Sequence, residues 1–215
     1  MPRPLLLGHR GARASVTVPE NTCASFDLAL EHGCDGFEFD LRLTACGRAV
    51  VCHDAEVNGI TVSSANCDQL QDLPRLQDVL QTYAARAFLD LELKVAGLES
   101  RILTMLQESP PTRGYVVSSF LAEVLQELRI RSASVPLGII CDRQKDLGRW
   151  RGLPVEYVIP QYSLIGPDLV QQVHAAGRKL LAWTVNDRTA MLQLADLGVD
   201  GIISDQTELL VRTFG

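Results

Sequence analysis

The chain has 215 residues, 47% of them hydrophobic and 21% charged, with a formal net charge of −6. This is ordinary globular composition, and the length suits one large domain spanning 1–215. The negative balance excludes broad electrostatic binding to nucleic acid, though a local pocket can still be positive enough for a phosphorylated substrate.

No stretch approaches the roughly 18 apolar residues of a membrane helix. The apolar run in "MPRPLLLGHR" is too short for a secretory signal, so the chain reads as cytoplasmic, with no membrane insertion. The six cysteines, at 23, 34, 46, 52, 67 and 141, form no CxxC pair. They are expected to stay reduced and to pack as small hydrophobes.

In chain order, "LLLGH" reads as a strand and "NTCASFDLALEHG" as the helix after it. The strand "GFEFDL" follows, with a hairpin partner in "AVVCHD". An aperiodic insertion occupies about 55–74, and "RLQDVLQTYAARA" is a helix. The strand–helix rhythm then repeats: "FLDLELK" with "LESRILTMLQES", and "YVVSSF" with "LAEVLQELRIRSA". "PLGIIC" leads to a short segment near "DLGRW". "YVIPQY" with "PDLVQQVHAAG", "KLLAWTV" with "DRTAMLQLADLG", and "GIISD" with "TELLVRTF" complete the chain. Asn21-Thr22 and Asn186-Asp187 supply helix N-caps, Gly33, Gly177 and Gly198 sit where C-terminal glycines belong, and Pro167 opens its helix.

Without "AVVCHD", eight strands remain, each followed by helical or connecting material. That pattern predicts an α/β fold, a TIM (β/α)8 barrel. "AVVCHD" follows its partner after a tight turn, so it must run antiparallel and stand as a hairpin arm on the C-terminal rim. With Cys46-Gly47 as a two-residue turn, the register sets Asp40 opposite His53. An open doubly wound sheet is the rival, but no Gly-rich phosphate fingerprint follows the first strand.

In a TIM barrel, chemistry lies at the C-terminal ends of the strands. Glu38 and Asp40 share one face of the second strand, because side chains alternate along it. Glu92 and Lys94 repeat that spacing on the third. Glu38, Asp40 and Glu92 thus converge on one mouth, where three carboxylates repel unless a cation compensates. A hard divalent ion, Mg²⁺ or Ca²⁺ with Mn²⁺ as a third candidate, takes oxygen ligands of this kind. For any one acid the competing reading is an ion pair with Arg10 or Lys94. His9 and His53, on different strands beside the same mouth, suit an acid–base pair. Arg10 and Lys94 suit the oxygens of a phosphoryl group. Phe120 and Trp183, at strand ends, are candidate pocket walls, with core or rim packing an equal alternative. Asp90 lies below Glu92 as a supporting group. His32 falls in the last turn of a helix, where positive charge is favourable, and His174, far from the mouth, is expected to be solvated or capping.

The motifs "HRGA", "PENT", "FEFDLRLT", "VVCHD", "LELK", "SSF" and "WTVN", in this order and ending at "GIISD", resemble the glycerophosphodiester phosphodiesterases over nearly the whole chain. The resemblance implies a TIM-barrel hydrolase. It would split glycerophosphodiesters into sn-glycerol 3-phosphate and an alcohol with one divalent cation. It implies Glu38, Asp40 and Glu92 as metal ligands, His9 and His53 as the acid–base pair, and Arg10 and Lys94 on the phosphate. Three departures stand out: a longer "ARASVTV" before "PENT", Ala55 after "HD" where an acid is common, and a short insertion at 55–74 without aromatics. Two other readings stay open. One is a phospholipase of C or D type acting on intact lipid, and the other is a non-catalytic phosphodiester-binding module.

Overall fold

In the computed structural model, which describes residues 3–215, the elements run as follows. Strand β1 (Leu5–Gly8) is followed by α1 (Cys23–Glu31), β2 (Gly36–Leu43), β3 (Ala49–Val51), β4 (Glu56–Val57), β5 (Ile60–Thr61) and α2 (Leu76–Tyr83). Next come β6 (Phe88–Leu93), α3 (Glu99–Glu108), β7 (Tyr115–Ser119), α4 (Ala122–Arg131) and β8 (Leu137–Cys141). The chain ends with β9 (Tyr157–Pro160), α5 (Pro167–Ala175), β10 (Lys179–Ala182), α6 (Arg188–Leu197), β11 (Gly201–Ser204) and α7 (Thr207–Phe214).

Eight parallel strands form a closed ring in the order β1, β2, β6, β7, β8, β9, β10, β11, because β1 pairs with both β2 and β11. This is the expected TIM barrel. Strand β3 lies outside the ring, antiparallel to β2.

The alternation along β2 decides where its side chains go. Phe37 and Phe39 point outward to the helices. Phe37 stacks on Phe26 of α1, with centroids 4.1 Å apart, and Tyr83 of α2 meets it edge-on at 5.1 Å. Inside the ring, Leu7, Phe88, Val116, Ile140, Tyr157 and Ile203 form a second apolar layer. Gly36 is required where β2 meets β6, since a Cβ there would stand 1.9 Å from the Phe88 carbonyl oxygen.

The caps follow the sequence signals. Thr22 Oγ1 accepts from Ser25 N, Asp187 Oδ1 accepts from Ala190 N, and Gly198 closes α6 in the left-handed region at φ 89°. Asn21 and Asn186 do not cap. Both turn to the barrel mouth instead. His32 Nδ1 lies 2.7 Å from Thr207 Oγ1, and His174, instead of being free in solvent or capping, has its Nε2 2.8 Å from Asp200 Oδ2.

Two expectations are corrected. The hairpin register is shifted by one residue: Leu41 pairs with Val51 and Leu43 with Ala49. The turn holds three residues, 45–47, with Gly47 at φ 79° and its N–H donating to Thr44 O. Cys52 N donates to Asp40 O, so Cys52 and not His53 stands opposite Asp40. Second, Cys46 and Cys67 form a disulfide, with Cα atoms 5.8 Å apart; the other four cysteines are free. A separation of 21 residues carried no hint of this pairing. Ala45 N donating to Ala65 O and Arg48 Nη1 donating to Cys67 O bring the two segments together. The 55–74 insertion, aperiodic in sequence, has structure of its own. It holds the β4–β5 ribbon and a small core in which Val62, Ala65 and Leu70 pack with Val50 and Cys52.

Among the described residues, no helix is long and apolar enough to cross a membrane.

Candidate active site

Asp40 of β2 and Glu92 of β6 are register partners on adjacent strands, and Glu38 lies two residues before Asp40 on the same inward face. Each offers one carboxylate oxygen such that all three lie within 4.8 Å of one another. All three residues are buried.

Two side-chain cations oppose these three acids. Lys94 Nζ sits 2.7 Å from Glu92 Oε1 and 3.2 Å from Asp40 Oδ1, and Arg10 Nε sits 3.2 Å from Asp40 Oδ2. The anticipated competition between cation binding and ion pairing is thus present in the structure, and it is one positive charge short. Asp40 receives most of the compensation. Burial works to raise its pKa, but Lys94, Arg10 and a hydrogen bond from Asn21 Nδ2 at 2.7 Å outweigh burial and hold it below its ordinary range. Glu38 lacks a Lys or Arg side chain of its own. Burial, then repulsion from Asp40 and Glu92, push it well above the ordinary range, despite a 2.9 Å hydrogen bond from Arg10 N. Glu92 is raised to about 7, chiefly by burial, with Asp40 adding to the rise and Lys94 opposing it. Glu38 Oε1 is buried without any partner, and Asp40 Oδ1 is buried with only its ion-pair contact to Lys94 Nζ. Buried oxygens left unpaired are costly, and a divalent cation at this point would satisfy them. The donor set therefore fits a hard metal ion.

His9 follows β1 directly, its N–H tied to Ser204 O of β11. Its Nδ1 lies 2.7 Å from Asp205 Oδ1, and its Nε2 faces Glu38 Oε2 at 3.8 Å. Burial works to raise the Asp205 pKa, but hydrogen bonding and charge from His9, with Asn186 and Arg13, bring it down to about 2. An ionised Asp205 accepts the Nδ1 proton, which leaves Nε2 directed at the acids. His53 lies farther out on the rim, its side chain 36% exposed. Its Nδ1 pairs with Asp54 Oδ1 at 2.8 Å, and Arg42 Nε donates to its carbonyl at 2.8 Å. It reaches the acids only through its charge, which helps to lower Asp40.

Trp183 and Phe120 meet edge to face at 5.6 Å, just beyond β10 and β7. Lys94 Nζ stands 5.8 Å from the Phe120 ring centre, so this aromatic pair borders the polar cluster. Asp90 lies beneath, buried, accepting a 2.5 Å hydrogen bond from Ser118 Oγ. Burial pushes its pKa up to about 7.

Several residues of the mouth escaped the sequence reading. Asp205 orients His9, and Asn186 Nδ2 donates to it at 2.6 Å. Asn21 serves Asp40. Glu20 bridges Arg10 Nη1 and Arg13 Nε, each at 2.6 Å. Asp205 immediately follows the last barrel strand, so the strand-end rule could have found it. Glu20 and Asn21 lie in the "PENT" motif, but their roles depend on a loop folding back over the mouth, which the motif alone does not specify.

Fold and site together define a TIM-barrel enzyme of phosphoester chemistry. The chain belongs to the Glycerophosphoryl diester phosphodiesterase family, whose profile matches residues 9–83 and 78–209. Among curated relatives, a glycerophosphodiester phosphodiesterase of Caldanaerobacter subterraneus is 29% identical over 97% of this chain and 96% of its own. Among solved structures, a phosphodiesterase of Oleispira antarctica in complex with the product sn-glycerol-3-phosphate superposes with a TM-score of 0.85. It is 25% identical and covers 98% of this chain and 96% of its own. A glycerophosphodiester phosphodiesterase of Thermotoga maritima shares the fold with a TM-score of 0.86, at 22% identity over 99% of both chains.

Proposed function

We propose that this enzyme hydrolyses glycerophosphodiesters to sn-glycerol 3-phosphate and an alcohol at the barrel mouth, with one divalent cation held by Glu38, Asp40 and Glu92. The observation that carries this reading is the convergence of three buried carboxylates, Glu38 with an orphaned oxygen, against two cations. When bound, a Mg²⁺ or Ca²⁺ ion supplies Lewis-acid polarisation of the phosphoryl group.

The chain's own groups do the rest. His9, held by Asp205, keeps Nε2 for a proton at the ester. His53, held by Asp54 and Arg42, offers a second imidazole nitrogen from the segment just after β3. One takes a proton from the attacking oxygen and the other gives one to the leaving alcohol. Lys94 has ammonium hydrogens beyond its carboxylate contacts, and Arg10 has a second terminal nitrogen, so both can hold non-bridging oxygens. Phe120 and Trp183 line the apolar side. The complex of the Oleispira enzyme with sn-glycerol-3-phosphate supports this product class.

Action on intact lipid is not favoured, because the 55–74 insertion is short and has no aromatic to meet a bilayer. The test is a panel of glycerophosphodiesters assayed in EDTA and then with each divalent ion, beside Glu38→Ala and His53→Ala. Turnover is expected only with a divalent ion and is expected to fall about a hundredfold or more in either variant. Undiminished turnover in either one refutes the assignment.

A further inference from the structure

Cys46 is exposed at the tip of the β2–β3 hairpin, and Cys67 is half-buried in the insertion. The bond between them closes a loop that carries β3, His53, Asp54 and the β4–β5 ribbon. Beside the bond opens a cleft of about 250 Å³ lined by both cysteines and by Arg48, Arg75 and Arg101. Among the described residues, none of these three arginines pairs with a carboxylate, whereas eleven ion pairs involve other arginines. Arg48 Nη1 donates to the Cys67 carbonyl at 2.8 Å. Arg101 reaches the hairpin turn, where a Cβ on Gly47 would stand 3.2 Å from its Nη2. Three unpaired guanidiniums around one disulfide, in a chain of net charge −6, form a local positive field.

We propose that the Cys46–Cys67 bond is a reversible thiol-exchange site, addressed by an anionic low-molecular-weight thiol of the glutathione class whose carboxylates dock against Arg48, Arg75 and Arg101. The incoming thiolate attacks the exposed Cys46 sulfur. The Cys46–Cys67 bond breaks, and its electron pair leaves on Cys67 as a thiolate, which nearby positive charge stabilises. Cys46 then carries a mixed disulfide. A second thiolate attacks the small molecule's sulfur in that mixed disulfide, which releases the oxidised dimer of the small thiol and the Cys46 thiolate. Both protein thiolates take up protons from solvent. In sum, one protein disulfide is reduced and two small thiols become one disulfide. In a reducing compartment, disulfides are usually of this reversible kind. Reduction frees the loop that bears His53, and this consequence rests on the role given to His53 above.

The test compares reduction of the oxidised enzyme by glutathione, which is anionic, and by cysteamine, which is cationic, at matched thiolate concentration. Alkylation and peptide mapping of Cys46 and Cys67 read the rate. Glutathione is expected to act about tenfold faster. That advantage is expected to vanish at high ionic strength and in the Arg75→Gln/Arg101→Gln double variant. Equal rates in the parent, or an undiminished advantage in the variant, would overturn the proposal. So would finding Cys46 and Cys67 unpaired in enzyme prepared in air. Turnover is measured in parallel and is expected to drop severalfold on reduction; unchanged turnover removes the link to His53. An oxidised parent without turnover counts against the phosphodiesterase reading alone, because the exchange rates do not depend on it.

Discussion

Loading the acidic cluster with a divalent cation is expected to release protons at pH 7. Carboxylates must be ionised to ligate a metal, so any proton they hold in the free enzyme has to leave. Glu92, with a pKa of about 7, is half-protonated there. Glu38, pushed well above its ordinary range, carries further proton, while Asp40, held low by Lys94 and Arg10, carries none. The release is therefore between about one half and one and a half protons per ion. Calorimetric titration with Ca²⁺ or Mg²⁺, in two buffers of equal pH but different ionisation enthalpy, reads this number directly. The count is expected to shrink toward pH 9, and Glu92→Gln is expected to remove about half a proton at pH 7. Measurable binding with no proton release at pH 7 would refute the reasoning. It would mean that Lys94 and Arg10 already keep all three acids ionised.

Asp90 gives a stability prediction for the metal-free enzyme. Its pKa rises from 3.8 to about 7 on folding, so the folded state holds this proton more tightly. The associated stability is fully present below pH 3.8 and is lost as pH rises through about 7, about 4 kcal/mol in all. Between pH 5.5 and 8.5, chemical denaturation should show the parent losing about 2 kcal/mol more than Asp90→Asn. Parallel pH dependences would contradict this. Asp205→Asn, which cannot hold His9 as an ionised acceptor, is expected to lower kcat about a hundredfold with little change in KM; a rate near that of the parent would show that the pairing is dispensable. Gly36→Ala must displace backbone at β6 and is expected to cost about 3 kcal/mol or more in denaturant titration. A cost under about 1 kcal/mol would show that β2 and β6 can part freely.

The sequence by itself determined the barrel and the identity of its central acids. Eight strands, each followed by helical or connecting material, are a local signal, and the two-residue period of "FEFD" and "LEL" already places Glu38, Asp40 and Glu92 on inward faces. The fate of Phe37 and Phe39 was legible for the same reason. Tertiary structure decided what no local period encodes. The hairpin register turned on Gly47 adopting a left-handed conformation in a three-residue turn, which moved His53 out of line with Asp40. The disulfide turned on an insertion folding back onto that hairpin. Asp205 reaches His9 because ring closure sets the last strand beside the first, 196 residues apart in sequence. The charge state of the acids is likewise a tertiary property. It depends on burial and on which carboxylates Lys94 and Arg10 reach, and that leaves Glu38 as the acid without a side-chain cation.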